Sequence, residues 1–144
     1  MIKRILVAVD DSPDSLAAAR VAVELAGRIS AQLRAVHVLA NHLLNTALEQ
    51  ASGRPAADVR RALAAHTVLA RVSKLAKSAD VEIDTDLLSG DIGPAILDAA
   101  RDWPADLVIV GKSARSASGE PYVGAQTRHV LEFASQPVLV VAAE

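Results

Sequence analysis

Two textures alternate along the chain. The runs "RILVAV" (4–9), "LRAVHVLA" (33–40), "VEIDTDLL" (81–88), "DLVIVG" (106–111) and "PVLVVA" (137–142) are short and rich in branched aliphatics, and they read as strands. The first, fourth and fifth are nearly continuous apolar runs, the pattern of strands covered on both faces of a parallel sheet. The third alternates, with Val81, Ile83 and Thr85 on one face and Glu82, Asp84 and Asp86 on the other. That alternation places it nearer a sheet edge.

Helical patterns lie between the strands. Ser12 and Pro13 form a starting signal, an N-cap followed by proline in the first turn, and Asp14 suits that turn. The helix they open is expected to reach about Arg28. Over 56–79, Val59, Leu63, Val68, Val72, Leu75 and Ala79 recur at helical steps and mark the inward face of a second helix. Pro94 opens a short third helix through "AILDAARDW", which stops at Pro104 with Trp103 as a plug against it. A fourth begins near Gly124 and ends before Pro137, with Val130, Leu131 and Ala134 facing inward. Residues 41–55 form an irregular insertion, read as a partial helix and a loop.

The order is β-α-β-(insertion)-α-β-α-β-α-β. Strands joined by helices run parallel through right-handed crossovers, so the helices cover both faces. The expectation is one domain over 1–144, an open doubly wound α/β fold with a five-stranded parallel sheet, Rossmann-like. Such sheets bind ligands outside the strand carboxyl ends, where the strand order reverses.

Composition narrows the function. The chain has 144 residues, with 15 Lys plus Arg against 17 Asp plus Glu, and no block of like charge. Nothing in that balance favours a nucleic-acid or membrane-surface partner. The absence of Cys excludes disulfides, thiolate catalysis and thiolate metal sites. With one Trp, one Tyr and one Phe, the core must be aliphatic. The opening apolar run, Ile5–Val9, is too short for a signal peptide and ends in two aspartates. A cytoplasmic protein is expected.

The candidate chemistry sits in "VIVGKSARSASGEPYVGAQT" (108–127). Gly111-Lys112-Ser113 has the last letters of a phosphate-binding P-loop, but the loop's first glycine would fall at Asp106, inside a strand. Backbone amides committed to a sheet ladder cannot wrap a phosphate. The same letters imitate a nucleophile elbow, yet Arg115 replaces its closing glycine and a long loop follows where a helix should. Read as a whole, the segment is a strand ended by Gly111, a polar loop, and a helix beginning at Gly124. That helix start offers free amides and a positive dipole end to a phosphate, with Lys112, Arg115 and Arg128 as cations in reach. The same glycines also suit two ordinary turns with a solvated loop between them. Asp10, at the end of the first strand, either meets a ligand's ribose or adenine edge or satisfies the amides of the next turn. His37 and His129 read as structural, and His42 and His66 suggest no metal site.

Taken together, "ILVAVDDSPDS", "AVHVL", "GDIGPAILDAARDWPADLVIVG" and "HVLEFASQPVLVV" resemble, in order, the pieces of a universal stress protein over nearly the whole chain. The ATP-binding branch of that family carries G-x2-G-x9-G-[ST] after the fourth strand. Counted from Gly111, the second glycine position is Ala114, the third is Gly124 and the hydroxyl position is Ala125. The resemblance implies an adenine-nucleotide-binding fold, with ATP or another adenine nucleotide, and Mg²⁺ accompanying it, over Asp10 and Val38. The Gly111–Ala125 loop, with Lys112 and Arg115, would hold its ribose and phosphates. A side chain at Ala114 obstructs close backbone approach, at about 1–2 kcal/mol if that position is left-handed. Ala125 lacks a hydroxyl donor worth about 1.5–3 kcal/mol toward a charged acceptor. The resemblance also implies a homodimer through the terminal strand 137–142. Two readings follow: a regulatory protein with a degenerate nucleotide site, and a dimeric interaction protein of the same fold that binds no nucleotide. An enzyme is disfavoured beyond slow ATP hydrolysis, because no carboxylate pair, metal cluster or supported nucleophile is visible.

Overall fold

A computed structural model describes residues 1–40, 56–112 and 123–144. The elements run in the order β1 (Arg4–Ala8), α1 (Pro13–Ile29), β2 (Gln32–Ala40), α2 (Ala56–Ser78), β3 (Ile83–Gly90), α3 (Ile92–Asp102), β4 (Leu107–Gly111), α4 (Ala125–Phe133) and β5 (Val138–Val141). The five strands form one sheet in the order β3-β2-β1-β4-β5, and every pair is parallel. Strand order therefore reverses between β1 and β4. After β1 the chain winds outward to β3, then returns to the other side of β1 and winds outward to β5.

Alternation along the central strands builds two aliphatic cores. Ile5, Val7, Leu107 and Ile109 meet α1 and α2 through residues such as Ala18, Ala22, Val68 and Val72. Leu6, Val36, Val108 and Val110 meet α3 and α4 through Ile96, Ala100 and Val130 on the opposite face. Alanines on α1 and α3 let those helices sit close to the sheet, which is how a core with so few aromatics fills its volume. The alternating third strand is an edge strand, as its polar face requires.

Local signals set the helix ends. The Ser12 hydroxyl accepts from the Ser15 N–H at 3.2 Å, capping α1, and Pro13 follows in the first turn. Ser30 closes α1 in the left-handed conformation, φ 56°, and the Ala31 N–H reaches back to the Ala26 carbonyl. Gly90 ends β3 at φ +127°, a conformation closed to side chains, and so aims the chain into α3.

Several expectations are corrected. The helix assigned to Pro94 starts two residues earlier, at Ile92, because Asp91 is the N-cap and proline is tolerated throughout a first turn. β3 begins at Ile83, leaving Val81 and Glu82 outside the ladder. On α2, Leu63 is exposed, as is Ala79 just past its end, whereas Ala65, Leu69 and Ala76 are buried beside Val68 and Val72. On α4, Val130 is buried but Leu131 is 45% exposed, and Ala134 is half-buried just past the helix. A one-residue step on a helix turns the side chain by about 100°, so Val130 and Leu131 cannot both face the sheet. Trp103 stands at the C-cap of α3, and the Arg34 guanidinium lies 4.6 Å from its ring centroid while that of Arg4 lies 5.8 Å away. The 41–55 insertion, His42 and the side chain of Val59 fall outside the described residues.

Candidate functional site

A cavity of about 190 Å³ opens where the strand order reverses. Its floor is the carboxyl ends of β1, β2 and β4, with Ala8, Val9, Asp10, Val36, His37, Val38, Val110 and Gly111. Its walls are the first turns of three helices, through Ser15 of α1, Ile92 of α3, and Gly124 to Thr127 at the start of α4. Three helix N-termini thus converge on one cavity. The first turn of α4 contributes orphan N–H groups and all three helix starts a partial positive charge, so the site favours an anionic or acceptor-rich ligand. A larger open depression, about 1090 Å³, lies at the amino ends of β2 and β3 beside Gln32, Asp80, Glu82 and Trp103. The ends of α1, α2 and α3 surround that one, where Lys77 lies among the Asp80, Glu82 and Asp84 carboxylates, and no helix start is among the described residues that line it.

Asp10 caps its own turn. Its carboxylate accepts from the Ser12 N–H at 2.8 Å, while its backbone N–H donates to the Ser15 hydroxyl at 2.6 Å. The turn-amide role is therefore filled, and the exposed carboxylate still lines the cavity. Val38 is 8% exposed and belongs to the core under α3. Its neighbour His37 donates from Nδ1 to the Val9 carbonyl at 2.7 Å, which ties the ends of β1 and β2 together and fixes that tautomer. This is a structural histidine.

Gly111 has a steric reason to be glycine. A Cβ there would stand 2.7 Å from the Ser15 backbone nitrogen and 2.8 Å from the Asp14 carbonyl carbon. The start of α1 is seated directly on the end of β4. Gly124 is the N-cap of α4 with φ −66°, an ordinary conformation. Its N–H donates to the Lys112 carbonyl at 3.0 Å, and the Lys112 N–H donates to Val141 at 2.8 Å. The first of these bonds holds Lys112 and Gly124 together; residues 113–122 between them, including Ala114 and Arg115, lie outside the described residues. Ala125 is the first residue of α4, so its N–H is one of the orphan donors. Lys112 and Arg128 do not line the cavity, and Arg128 is exposed on α4.

Three polar residues of the site escaped the sequence reading. Thr127 is 7% exposed and donates its hydroxyl to the Gly111 carbonyl at 2.7 Å. Ser15 is 3% exposed; none of the described residues accepts its hydroxyl proton. Gln126 accepts from the Gly93 N–H at 2.8 Å, serving an orphan donor in the first turn of α3. Gly93 is packed just as closely, since a Cβ there would meet the His129 ring at 2.6 Å. His129 itself lies against Phe133, with ring centroids 4.8 Å apart. Among the described residues no group of three or more His, Cys, Asp or Glu is placed to hold a metal. No described helix is long and apolar enough to cross a membrane.

This architecture recurs in known proteins. A family model, the universal stress protein family, matches residues 1–142. A universal stress protein from Thermus aquaticus is 32% identical over 144 residues, covering 98% of this chain and 99% of that one. Among solved structures, a universal stress protein from Archaeoglobus fulgidus in complex with dAMP superposes with a TM-score of 0.70 at 20% identity, over 98% of each chain. Another universal stress protein, in complex with cAMP, also gives 0.70 at 20% identity, over 97% of this chain and 96% of that one. With a family match over nearly its whole length and a full-length relative at this identity, the chain belongs to the universal stress protein family.

Proposed function

We propose that this protein is a regulatory member of the family that binds an adenine nucleotide in the crevice between β1 and β4. One observation carries the reading: three helix N-termini and the carboxyl ends of three strands meet at a single cavity. Its apolar floor, Val36, Val38 and Val110, suits the face of a base, and the Asp10 carboxylate suits ribose hydroxyls or an exocyclic amino group. The first turn of α4, with the Gly124–Gln126 backbone, suits phosphate oxygens. That two structural neighbours were solved with dAMP and cAMP supports the ligand class. The donor set of the cavity fits a nucleotide without requiring a metal, and Mg²⁺ would enter with the phosphates. None of the described residues that line the cavity is placed to position a water for attack, so turnover of ATP should be slow at most.

Thermal unfolding tests this directly. Binding to the folded state alone adds about 2.7 kcal/mol at a ligand concentration of 100 Kd, a rise of several degrees for a chain this size. ATP, ADP, AMP and inorganic phosphate would be compared with and without Mg²⁺. A shift with the adenine nucleotides and not with phosphate is expected. No shift with any of them at millimolar concentration would leave the second reading, a dimeric interaction protein. β5 favours that reading as the last strand of the sheet, with Leu139 38% exposed.

A further inference from the structure

Gln126 holds a position in the cavity wall that its hydrogen bonding makes directional. Its Oε1 is 2.8 Å from the Gly93 nitrogen, and since an N–H can only donate, the atom facing α3 must be the carbonyl oxygen. The carboxamide is therefore fixed about its last bond. Gln126 is exposed at the rim of the cavity, so its NH₂ is the part open to a ligand or to solvent, and none of the described residues accepts from it. Gln126 lies in the first turn of α4, one residue beyond Ala125, which has no side-chain donor. Across the same cavity Ser15, 3% exposed, holds a hydroxyl proton with no acceptor among the described residues. A buried donor of that kind is normally satisfied, by a ligand or by water. The donors left over around this cavity belong to side chains as well as to helix ends.

We propose that Gln126 is the side chain that orients the phosphoryl group of the bound nucleotide, donating from Nε2 to a phosphate oxygen while Gly93 holds its Oε1. It takes over the donor that Ala125 cannot supply. The Gly93 contact then has a second consequence. It makes the first turn of α3 part of the binding geometry, so the packing of α3 against α4 sets how well phosphate is read. Adenosine, which has no phosphate, is indifferent to Gln126. The inference rests on the nucleotide reading of the cavity.

Calorimetric titration of AMP and of adenosine into the full chain tests it, with two variants. Gln126→Glu keeps the acceptor for Gly93 and replaces the NH₂ with an oxygen. Gln126→Met is neutral and of similar length, and removes the donor without adding charge. Both should weaken AMP about tenfold or more, the cost of one hydrogen bond to a charged acceptor, and leave adenosine within about twofold. Gln126→Glu should also melt no lower than the parent chain, because a carboxylate is favourable in a helix's first turn. If AMP weakens only in Gln126→Glu, the effect is charge repulsion and the proposal is overturned. Equal AMP affinity in all three proteins, or parallel loss of AMP and adenosine, makes Gln126 only a tether between helices and overturns it too. If the parent chain binds neither AMP nor adenosine, the nucleotide reading falls and takes this inference with it.

Discussion

Thr127 donates a hydrogen bond from its hydroxyl to the Gly111 carbonyl at 2.7 Å, joining the first turn of α4 to the last residue of β4 in a buried setting. Together with the Gly124–Lys112 backbone bond it holds the end of β4 against the start of α4. The shape of this part of the cavity wall is thus set by contacts between the end of β4 and the first turn of α4.

Replacing Thr127 with Val should therefore cost about 1–3 kcal/mol, because a buried carbonyl loses its partner while the side-chain volume is kept. Thr127→Ser keeps the donor and should cost less. Urea unfolding of the two variants beside the parent chain measures the difference. A loss in Thr127→Ser with none in Thr127→Val would show that the methyl group, and not the hydroxyl, holds the contact.

Gly111→Ala should destabilise by about 1–3 kcal/mol for another reason. The new Cβ would press on the Asp14–Ser15 backbone at 2.7–2.8 Å, and backbone at a helix start cannot swing aside as a side chain can. Nucleotide affinity should fall with stability, since α1 and β4 both line the cavity. Chemical denaturation with a parallel nucleotide titration would read both effects.

The Asp106 carboxylate accepts from the Lys3 N–H at 2.8 Å and the Arg4 N–H at 2.9 Å, fixing the start of β1 to the start of β4. Those two hydrogen bonds hold its pKa below the ordinary aspartate value. A carboxyl acidified by folding contributes stability that is fully present above its unfolded pKa and is lost as pH falls through the folded one. The gap in urea midpoint between the parent chain and Asp106→Asn should stay constant near neutrality. It should narrow only in acid, below the ordinary aspartate range. A gap that narrowed between pH 6 and 8 would point to a different group.

Trp103 is the chain's one tryptophan, and Arg34 lies over its ring at 4.6 Å while also reaching Asp84 at 3.6 Å. Arg34→Ala should change the emission of the folded protein, because the charge nearest the indole is removed. The loss in stability should be modest, about 0.5–1 kcal/mol, as the Asp84 carboxylate is largely exposed. Unaltered fluorescence would mean that the guanidinium does not rest on the ring in solution.

β5 ends the sheet, and Leu139 is more than a third exposed on it. A second copy pairing along this edge would satisfy the strand's outer backbone groups and cover Leu139. Sedimentation at micromolar concentration should show a dimer, with Leu139→Lys shifting it toward the monomer. A monomeric parent chain, indifferent to the substitution, would count against the edge as an interface.

Much of the fold could be read in the letters because its causes are local. Runs such as "ILVAV" and "LVIVG" are apolar at every position, and only a strand covered on both sides uses both parities. Ser12 with Pro13 marks a helix start through bonds that reach only a few residues. Alternating strands and helices then leave few arrangements, and the crossover rule selects among them. Even the cavity's location follows, because a reversal of strand order leaves a gap between the two flanking crossovers.

What was misplaced or missed depends on contacts distant in sequence. Leu63 and Leu131 fit the apolar pattern of their helices, but the rotation of each helix against the sheet turned them outward. Ser15, Gln126 and Thr127 are unremarkable in a list of residues. They gain roles only when the first turns of α1, α3 and α4 arrive at the end of β4, 16 residues from Gly111 in the case of Thr127 and 33 from Gly93 in that of Gln126. Whether a glycine is a turn or a contact surface is decided in the same way. Gly111 reads as a strand end in one dimension, and only the seating of α1 shows that a single Cβ would not fit. Periodicity along a chain specifies which face of an element is apolar; it carries no information about which polar group on another element will lie within 3 Å. That distance is set by how the layers pack.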